Sequence, residues 1–584
     1  MSNNVGSLSR YLPWLNWGRQ YHREWFANDL VAAIIVTMML IPQSLAYAML
    51  ANLPPQVGLY ASILPLVGYA LFGTSRTLAV GPVAVASLMS AAAAGHVAMQ
   101  GTQAFYEASI MLAFLGGAML VLLSLIRAGA IGNLLSHPVV SGFIIASAVL
   151  IAAGQLKHLF GVSAKGETLV TIIPSLYKSL ATTNRITLLI GVLCLVFLLG
   201  VRKYGKATLM AVGLSQRVAD IAVKAGPVLT VIVSTLVVSL FDLEARGVKV
   251  VGHIPGSLPS LTLPSLDLIQ IKSLLVPAFL IALIGFVESV SVGHTLGAKR
   301  RQRIDPNQEL MGLGAANIAS ALSGGYSVTG GFSRSVVNFD AGAETPLAGV
   351  FTAVGILIVT VAFTPYLANL PQATLAATII VAVLSLVRFD IFREVWNYSK
   401  ADFAAVAATV IVVLMAGVEM GVLTGVLLSI LLLLAKISKP HIAVTGRVPG
   451  TDHFRNILRH EVIQSESVLS LRVDESLYFP NARYLEDALL ALVADRPGVQ
   501  HVVLQASAIN DIDSSALESL ESIEASFKDM GVILHLSEVK GPVMDKLKNT
   551  HFLKHLRGQV FLSHHQAMET LDPATLVNTV DASR

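Results

Sequence analysis

Leu78-Ala79-Val80-Gly81-Pro82-Val83-Ala84-Val85 in the first half of the chain and Tyr326-Ser327-Val328-Thr329-Gly330-Gly331-Phe332-Ser333-Arg334-Ser335 in the second decide the fold. Each reads as a few extended residues running into a helix that starts at a Gly/Pro or Gly-Gly break. Short interrupted apolar segments at corresponding places in two halves are the sequence mark of a secondary-transporter binding site. A helix that begins inside a membrane leaves its first N–H groups unpaired and aims the positive end of its dipole at what lies there. Two such ends facing each other make an anion site.

Composition agrees with a membrane setting. The chain has 584 residues, 54% of them hydrophobic and 13% charged, with a mean hydropathy of +0.69. That is the signature of a polytopic membrane protein. Residues to about Lys436 form apolar runs; beyond about Pro440 the chain turns polar and mixed. The expected organisation is a cytoplasmic N-terminal segment (1–28), a membrane domain (29–437), a linker (438–466) and a small soluble domain with its tail (467–584). The N-terminal segment lacks the charged-then-apolar pattern of a cleaved signal and carries interfacial Trp14, Trp17 and Trp25. The net charge of +4 fits basic cytoplasmic loops rather than nucleic-acid binding. Cys194 is the only cysteine, so neither an intramolecular disulfide nor a Cys-based metal site is expected.

Apolar stretches near 29–50, 58–73, 79–95, 105–126, 133–155, 186–201, 225–242, 272–296, 309–324, 331–341, 346–364, 371–387, 401–418 and 420–437 give about fourteen α-helical segments. Several are shorter than the ~20 residues of a simple spanning helix. The broken segments are third and tenth, the placement that a seven-plus-seven inverted repeat gives. Arg76, Arg127, Arg202/Lys203/Lys206, Lys299/Arg300/Arg301/Arg303 and Arg388/Arg393 fall in loops on one side, which the positive-inside rule assigns to the cytoplasm. An even number of spans then puts both termini there.

Four groups carry candidate chemistry. Gln43 and Tyr47 are four apart on one helix face; they either donate to an anion or act as interhelical glue. At Gly81-Pro82, Pro suits the first helical position and frees the N–H groups of Val83 and Ala84, unless the break is a packing kink. Arg334, in Ser333-Arg334-Ser335, places a cation near the midplane, where charge is a functional hypothesis; otherwise it snorkels to an interface. Glu288 is the only acid in its helix. Burial disfavours its charge and a nearby cation favours it, so it either exchanges a proton during a cycle or forms a fixed ion pair with Arg334. Asp305, Asn307 and Glu309, beside the Arg cluster, read as a solvated cytoplasmic cap or a contact for the tail.

The chain resembles the SulP (sulfate permease) family, solute carrier family 26. The residues that carry the likeness are Ile41-Pro42-Gln43-Ser44-Leu45-Ala46-Tyr47-Ala48, Val57-Gly58-Leu59-Tyr60, Phe72-Gly73-Thr74-Ser75-Arg76, Val80-Gly81-Pro82-Val83-Ala84 and Phe332-Ser333-Arg334-Ser335, together with the C-terminal domain. The resemblance implies core and gate domains of fourteen segments that move as an elevator. Gln43, Tyr47, Val83, Ala84, Phe332, Ser333 and Arg334 would surround the anion. It also implies a homodimer in the cell inner (plasma) membrane. The Gln-x-x-x-Tyr helix with Glu288 and Arg334 looks most like sulfate–proton symporters. Animal chloride–bicarbonate exchangers tend to lack this acid. Cyanobacterial sodium-coupled bicarbonate carriers have an Asp there and a hydroxyl one turn later, where this chain has Val292. Dicarboxylate carriers keep the Glu, so succinate-like or bicarbonate substrates remain alternatives to sulfate, as does an anion-sensing signalling role.

From Ser467 strands and helices alternate: 468–473, 481–494, 501–505, 514–530, 532–536 and 542–549. This pattern indicates a small α/β domain, and it resembles a STAS domain through Ile509-Asn510-Asp511-Ile512-Asp513-Ser514-Ser515-Ala516. In soluble relatives a Ser at the position of Ser515 is phosphorylated, so Ser514 and Ser515 are regulatory candidates, although Ser514 also suits a helix N-cap. The domain would offer a surface to a cytoplasmic protein partner. His551, His555, His564 and His565 have mixed spacing and read as polar surface rather than a metal site. No nucleophile–base pair or Walker motif appears, and neither enzymatic activity nor a cofactor is expected.

Overall fold

The computed structural model describes residues 12–576 apart from 135, 254 and 266, without the side chains of 133, 134, 217 and 221. The chain divides into two compact units, 1–429 and 430–584.

Each of the fourteen expected segments contains a helix. They are α1 Arg23–Leu50, α2 Pro55–Phe72, α3 Ala84–Gly95, α4 Gln103–Leu125, α5 His137–Phe160, α6 Arg185–Ala211, α7 Gly226–Leu240, α8 Leu268–Lys299, α9 Pro306–Leu322, α10 Phe332–Asp340, α11 Leu347–Ala362, α12 Gln372–Leu384, α13 Lys400–Ala416 and α14 Val418–Ser438. Among the described residues, α1, α2, α4, α5, α6, α8 and α14 are long and apolar enough to cross a membrane. Among the further helices, Leu169–Ser179, Gln216–Lys224 and Asp390–Tyr398 were not expected. Their apolar residues lie on one face instead of in a run, so hydropathy alone passes over them.

Contacts sort the helices into two bundles. One holds α1–α4 with α8–α11, where α9 packs on α4 and α2, α8 on α4, and α11 on α1; in the other, α12 and α13 pack on α5, and α6 on α12. The two-bundle arrangement, with α3 and α10 third in each set of seven, is that of core and gate domains.

Of the acids at 305–309, Asp305 is the solvated one and Glu309 is not. Asp305 caps α9 by accepting from the Asn307 N–H at 3.0 Å. The Asn307 side chain accepts from the Gly129 N–H at 2.7 Å. Glu309 is fully buried and accepts from Tyr69 Oη (2.7 Å), Thr74 N (2.7 Å), Thr74 Oγ1 (2.6 Å) and Ser75 N (3.0 Å). The donors come from a segment far away in sequence, and they replace the water that the carboxylate gives up on burial. Asp29 does the same for another turn. It takes Glu344 N, Thr345 N and Thr345 Oγ1 at 2.6–3.1 Å.

The C-terminal unit is a six-stranded sheet in the order β4-β3-β5-β6-β7-β8. The strands are β3 Ile442–Arg447, β4 Phe454–Asn456, β5 Val468–Val473, β6 His501–Gln505, β7 Ile533–Ser537 and β8 Val560–Phe561. β5 to β8 run parallel, whereas β3 is antiparallel to both β4 and β5. The stretch 438–466, expected as a linker, therefore supplies two strands of the sheet. Helices α15 Phe479–Ala494, α16 Ser514–Asp529, α17 Gly541–Lys548 and α18 His564–Leu571 connect or cover the strands.

Two readings in this unit are corrected. Asp513, not Ser514, caps α16: its carboxylate accepts from Ala516 N at 2.8 Å and Phe479 N at 2.7 Å. His564 is interior, not surface. It lies 1% exposed between Ser470 Oγ and Ser537 Oγ, the latter 2.8 Å from Nδ1. His535, also buried, faces His501 at 3.1 Å and accepts from Gln559 N at 3.0 Å.

Burial pushes His564 and His535 down to about 4, and the neighbouring His501 adds to the effect on His535. Both stay neutral in the folded domain until well below the ordinary value near 6.5. Between pH 6.5 and about 4 the unfolded chain binds more protons than the folded one. The stability these groups support is therefore complete above pH 6.5 and is lost as pH falls towards 4. The protection factors of β5–β7 amides in the full chain, which correct exchange for its intrinsic slowing as pH falls, are expected to drop over that interval, and His564→Gln should flatten the response. Protection factors independent of pH would contradict buried neutral imidazoles.

Candidate functional site

The two sequence breaks meet. β1 (Val80–Gly81) pairs antiparallel with β2 (Thr329–Gly330), Val80 opposite Gly330 and Gly81 opposite Thr329. The Gly331 N–H donates to Ala79 O at 3.1 Å. Ser335 Oγ accepts from the Ala79 N–H at 2.9 Å and donates to Gly331 O at 2.7 Å. Just beyond the strands, α3 and α10 begin. Their N-cap residues, Val83 and Gly331, are extended and offer no side-chain cap, so first-turn N–H groups of both helices remain without an intrahelical acceptor. Pro82 does not occupy the first helical position as expected. It precedes the N-cap, in the extended approach.

Pro82 serves the site through its carbonyl. Arg334, 2% exposed, donates from Nη1 to Pro82 O at 2.6 Å. Its Nε and Nη2 are buried without a hydrogen-bond partner. The guanidinium lies against backbone on two sides: a Cβ on Gly331 would come 3.0 Å from Nη2 and one on Gly81 3.4 Å. Gly81 also has φ +154°, a conformation that side chains disfavour. Glycine is thus favoured at Gly81 by its backbone, and the tighter approach to the guanidinium is at Gly331.

Tyr47 and Gln43 are buried on α1, as are Val83 and Ala84 at the start of α3. Tyr47, Glu288 and Arg334 are close enough to interact electrostatically. Among the described residues no ion pair within 4 Å joins Glu288 to Arg334, so the fixed-pair alternative is not the arrangement seen. Glu288 is half-buried, while Phe332 and Ser333 are exposed on the first turn of α10.

Several positioning residues went unread in the sequence. Ser289, next to Glu288, accepts from the Gly330 N–H at 2.9 Å and lies 2.8 Å from Thr329 Oγ1. Asn317 of α9 grips Val328 on both sides, donating to its carbonyl and accepting from its N–H, each at 2.9 Å. Ser320 donates to Tyr326 O at 2.7 Å. The extended run into α10 thus has its backbone groups satisfied from α8 and α9, as broken helices inside membranes require. Polar side chains on otherwise apolar helices were the available signal. Ser514 and Ser515 are exposed on the first turn of α16. Among the described residues no cluster of three His, Cys, Asp or Glu could hold a metal.

Two uncapped helix ends facing one buried cation, within two packed bundles of apolar helices, define the class of multi-pass transporters built on discontinuous helices. The chain belongs to the sulfate permease family, whose model matches residues 26–409, and a STAS domain matches 459–567. Among similar proteins, the chloroplastic sulfate transporter 4.1 of Arabidopsis thaliana is 36% identical over 91% of this chain and 78% of its own. High affinity sulfate transporter 1 of Stylosanthes hamata is 32% identical over 97% and 87%. The murine solute carrier 26 family member A9 anion transporter, in its inward-facing state, superposes with a TM-score of 0.88 at 22% identity, covering 98% of this chain and 95% of that one. The transmembrane domain of a cyanobacterial bicarbonate transporter reaches 0.58 at 18% identity, over 70% and 98%. At these identities the two structures speak for the fold.

Proposed function

We propose that this chain carries sulfate across a membrane together with protons, by an elevator movement of the bundle that holds α3 and α10. The observation that carries the reading is the Arg334 guanidinium, buried between two uncapped helix N-termini with two of its three nitrogens unpartnered. A buried cation without a counter-ion is costly, and a tetrahedral dianion fits both the guanidinium fork and the convergent N–H groups. In this reading Gln43, Tyr47, Val83, Ala84, Phe332, Ser333 and Arg334 surround the anion, and Glu288 takes up and releases the proton. The named sulfate transporters among the relatives favour sulfate over dicarboxylate or bicarbonate. The basic loops favour a plasma-membrane orientation with both termini in the cytoplasm, and the family likeness favours a homodimer.

Radiolabelled sulfate uptake into proteoliposomes, with and without an inward proton gradient, tests the proposal. The gradient is expected to drive accumulation above the equilibrium level. Sulfate uptake indifferent to the gradient would remove proton coupling. Succinate or bicarbonate uptake without any for sulfate would replace the substrate.

A further inference from the structure

The C-terminal unit holds a cavity of about 440 Å³ at its edge strand, lined by His441, Arg455, Arg459, His460, Arg472 and Asp474. Its only acid is already occupied. Asp474 receives Arg472 Nε at 2.5 Å and Nη2 at 3.1 Å, and His441 Nδ1 lies 2.8 Å away. Burial alone would raise Asp474; the hydrogen bonds from Arg472 and His441 outweigh it and hold the carboxyl below its usual range. Arg455 and Arg459 have no acidic partner among the described residues, and both are exposed, as is His460. The lining is therefore cationic, with two guanidinium forks ready for a planar or tetrahedral oxyanion.

His441 follows Ser438, the last residue of α14, by three positions. Three extended residues reach roughly 10 Å, so His441, in the cavity wall, follows closely on the end of a helix long and apolar enough to cross a membrane. Lys436 and Lys439 stand at the same junction. Basic clusters immediately beyond a transmembrane helix meet the anionic headgroups of the membrane surface. We propose that the cavity binds the phosphate of an anionic phospholipid headgroup, with Arg455 and Arg459 as its principal ligands. The site lies wholly in the C-terminal unit and is independent of the transport site.

Calorimetric titration of the full chain in a neutral detergent tests this, with dioctanoyl phosphatidylglycerol, dioctanoyl phosphatidylcholine and inorganic phosphate as probes. Phosphatidylglycerol is expected to bind saturably and phosphatidylcholine not to. The R455Q/R459Q variant should bind phosphatidylglycerol about tenfold or more weakly, as loss of charge-assisted hydrogen bonds implies, and R455K/R459K should recover part of it. Both side chains are exposed, and proton-driven sulfate uptake by the variants should match the unaltered chain. Unchanged phosphatidylglycerol binding in R455Q/R459Q would overturn the site. Inorganic phosphate binding as tightly as the lipid, with the same dependence on both arginines, would overturn the lipid assignment in favour of a soluble phosphate.

Discussion

Replacing Arg334 with glutamine is expected to lower sulfate uptake by about 10²- to 10⁴-fold without unfolding the protein. The magnitude follows from two guanidinium nitrogens, Nε and Nη2, that are buried and unpartnered within the protein. Hydrogen bonds to charged groups contribute roughly 1.5–3 kcal/mol each, so two of them supply about 3–6 kcal/mol of anion binding. The bond that holds Pro82 O at 2.6 Å is lost as well, which loosens the approach to α3. Stability should nonetheless be preserved, because the substitution removes a buried charge that has no ion pair within 4 Å among the described residues. The thermal midpoint is expected to stay level or rise, while its increase on adding sulfate disappears. Arg334→Lys should recover only part of the activity, since an ammonium keeps the charge but not the fork. Uptake by Arg334→Gln within about threefold of the unaltered chain would remove Arg334 from the site, being far less than the loss of even one such bond.

How far the sequence could be read depended on whether the signal was local. The breaks at Gly81-Pro82 and Gly330-Gly331 announce themselves, because glycine and proline act on their own backbone. Their meeting as a strand pair was legible only through position in the two halves. Glu309 was misread since its donors, Tyr69 to Ser75, arrive from another helix, and nothing beside an Arg cluster marks an acid as buried. The pairing of β3 with β5 is likewise nonlocal, so Ile442-Ala443-Val444-Thr445 looked like a polar-flanked linker. His564 sat in a polar-looking run, yet α18 turns it inwards against Ser470 and Ser537. At the site, Arg334 and Glu288 stood out as charges among apolar neighbours. Ser289, Asn317 and Ser335 did not, because small polar residues are common in membrane helices and only geometry separates those that hold backbone from those that merely pack.

Glu288→Gln is expected to abolish proton-driven accumulation of sulfate while leaving sulfate–sulfate exchange within about an order of magnitude. The side chain keeps its shape and loses its titration. Among the described residues it makes no ion pair within 4 Å with Arg334, so the substitution breaks no direct bridge to the anion's principal ligand. What changes is the field. Two like unit charges about 8 Å apart oppose each other by about 2 kcal/mol at an effective dielectric of 20, which sets the scale on which a carboxylate near the site would oppose a bound anion. In the proposed cycle protonation lifts that opposition, which would tie the proton to sulfate entry. Release of the proton on the other side would restore the opposition and expel the anion. With Gln the opposition never forms. Sulfate should then bind more tightly at neutral pH, its affinity should cease to vary with pH, and uptake should proceed at one rate whether or not a proton gradient is imposed. The readouts are sulfate-dependent thermal shift across pH and paired uptake and counterflow assays in proteoliposomes. Accumulation that still follows the proton gradient in Glu288→Gln would assign the coupling to another group. Because loss of the proton should remove accumulation and spare exchange, whereas loss of the anion site should remove both, Glu288→Gln and Arg334→Gln must give different patterns if one residue carries the proton and the other the anion.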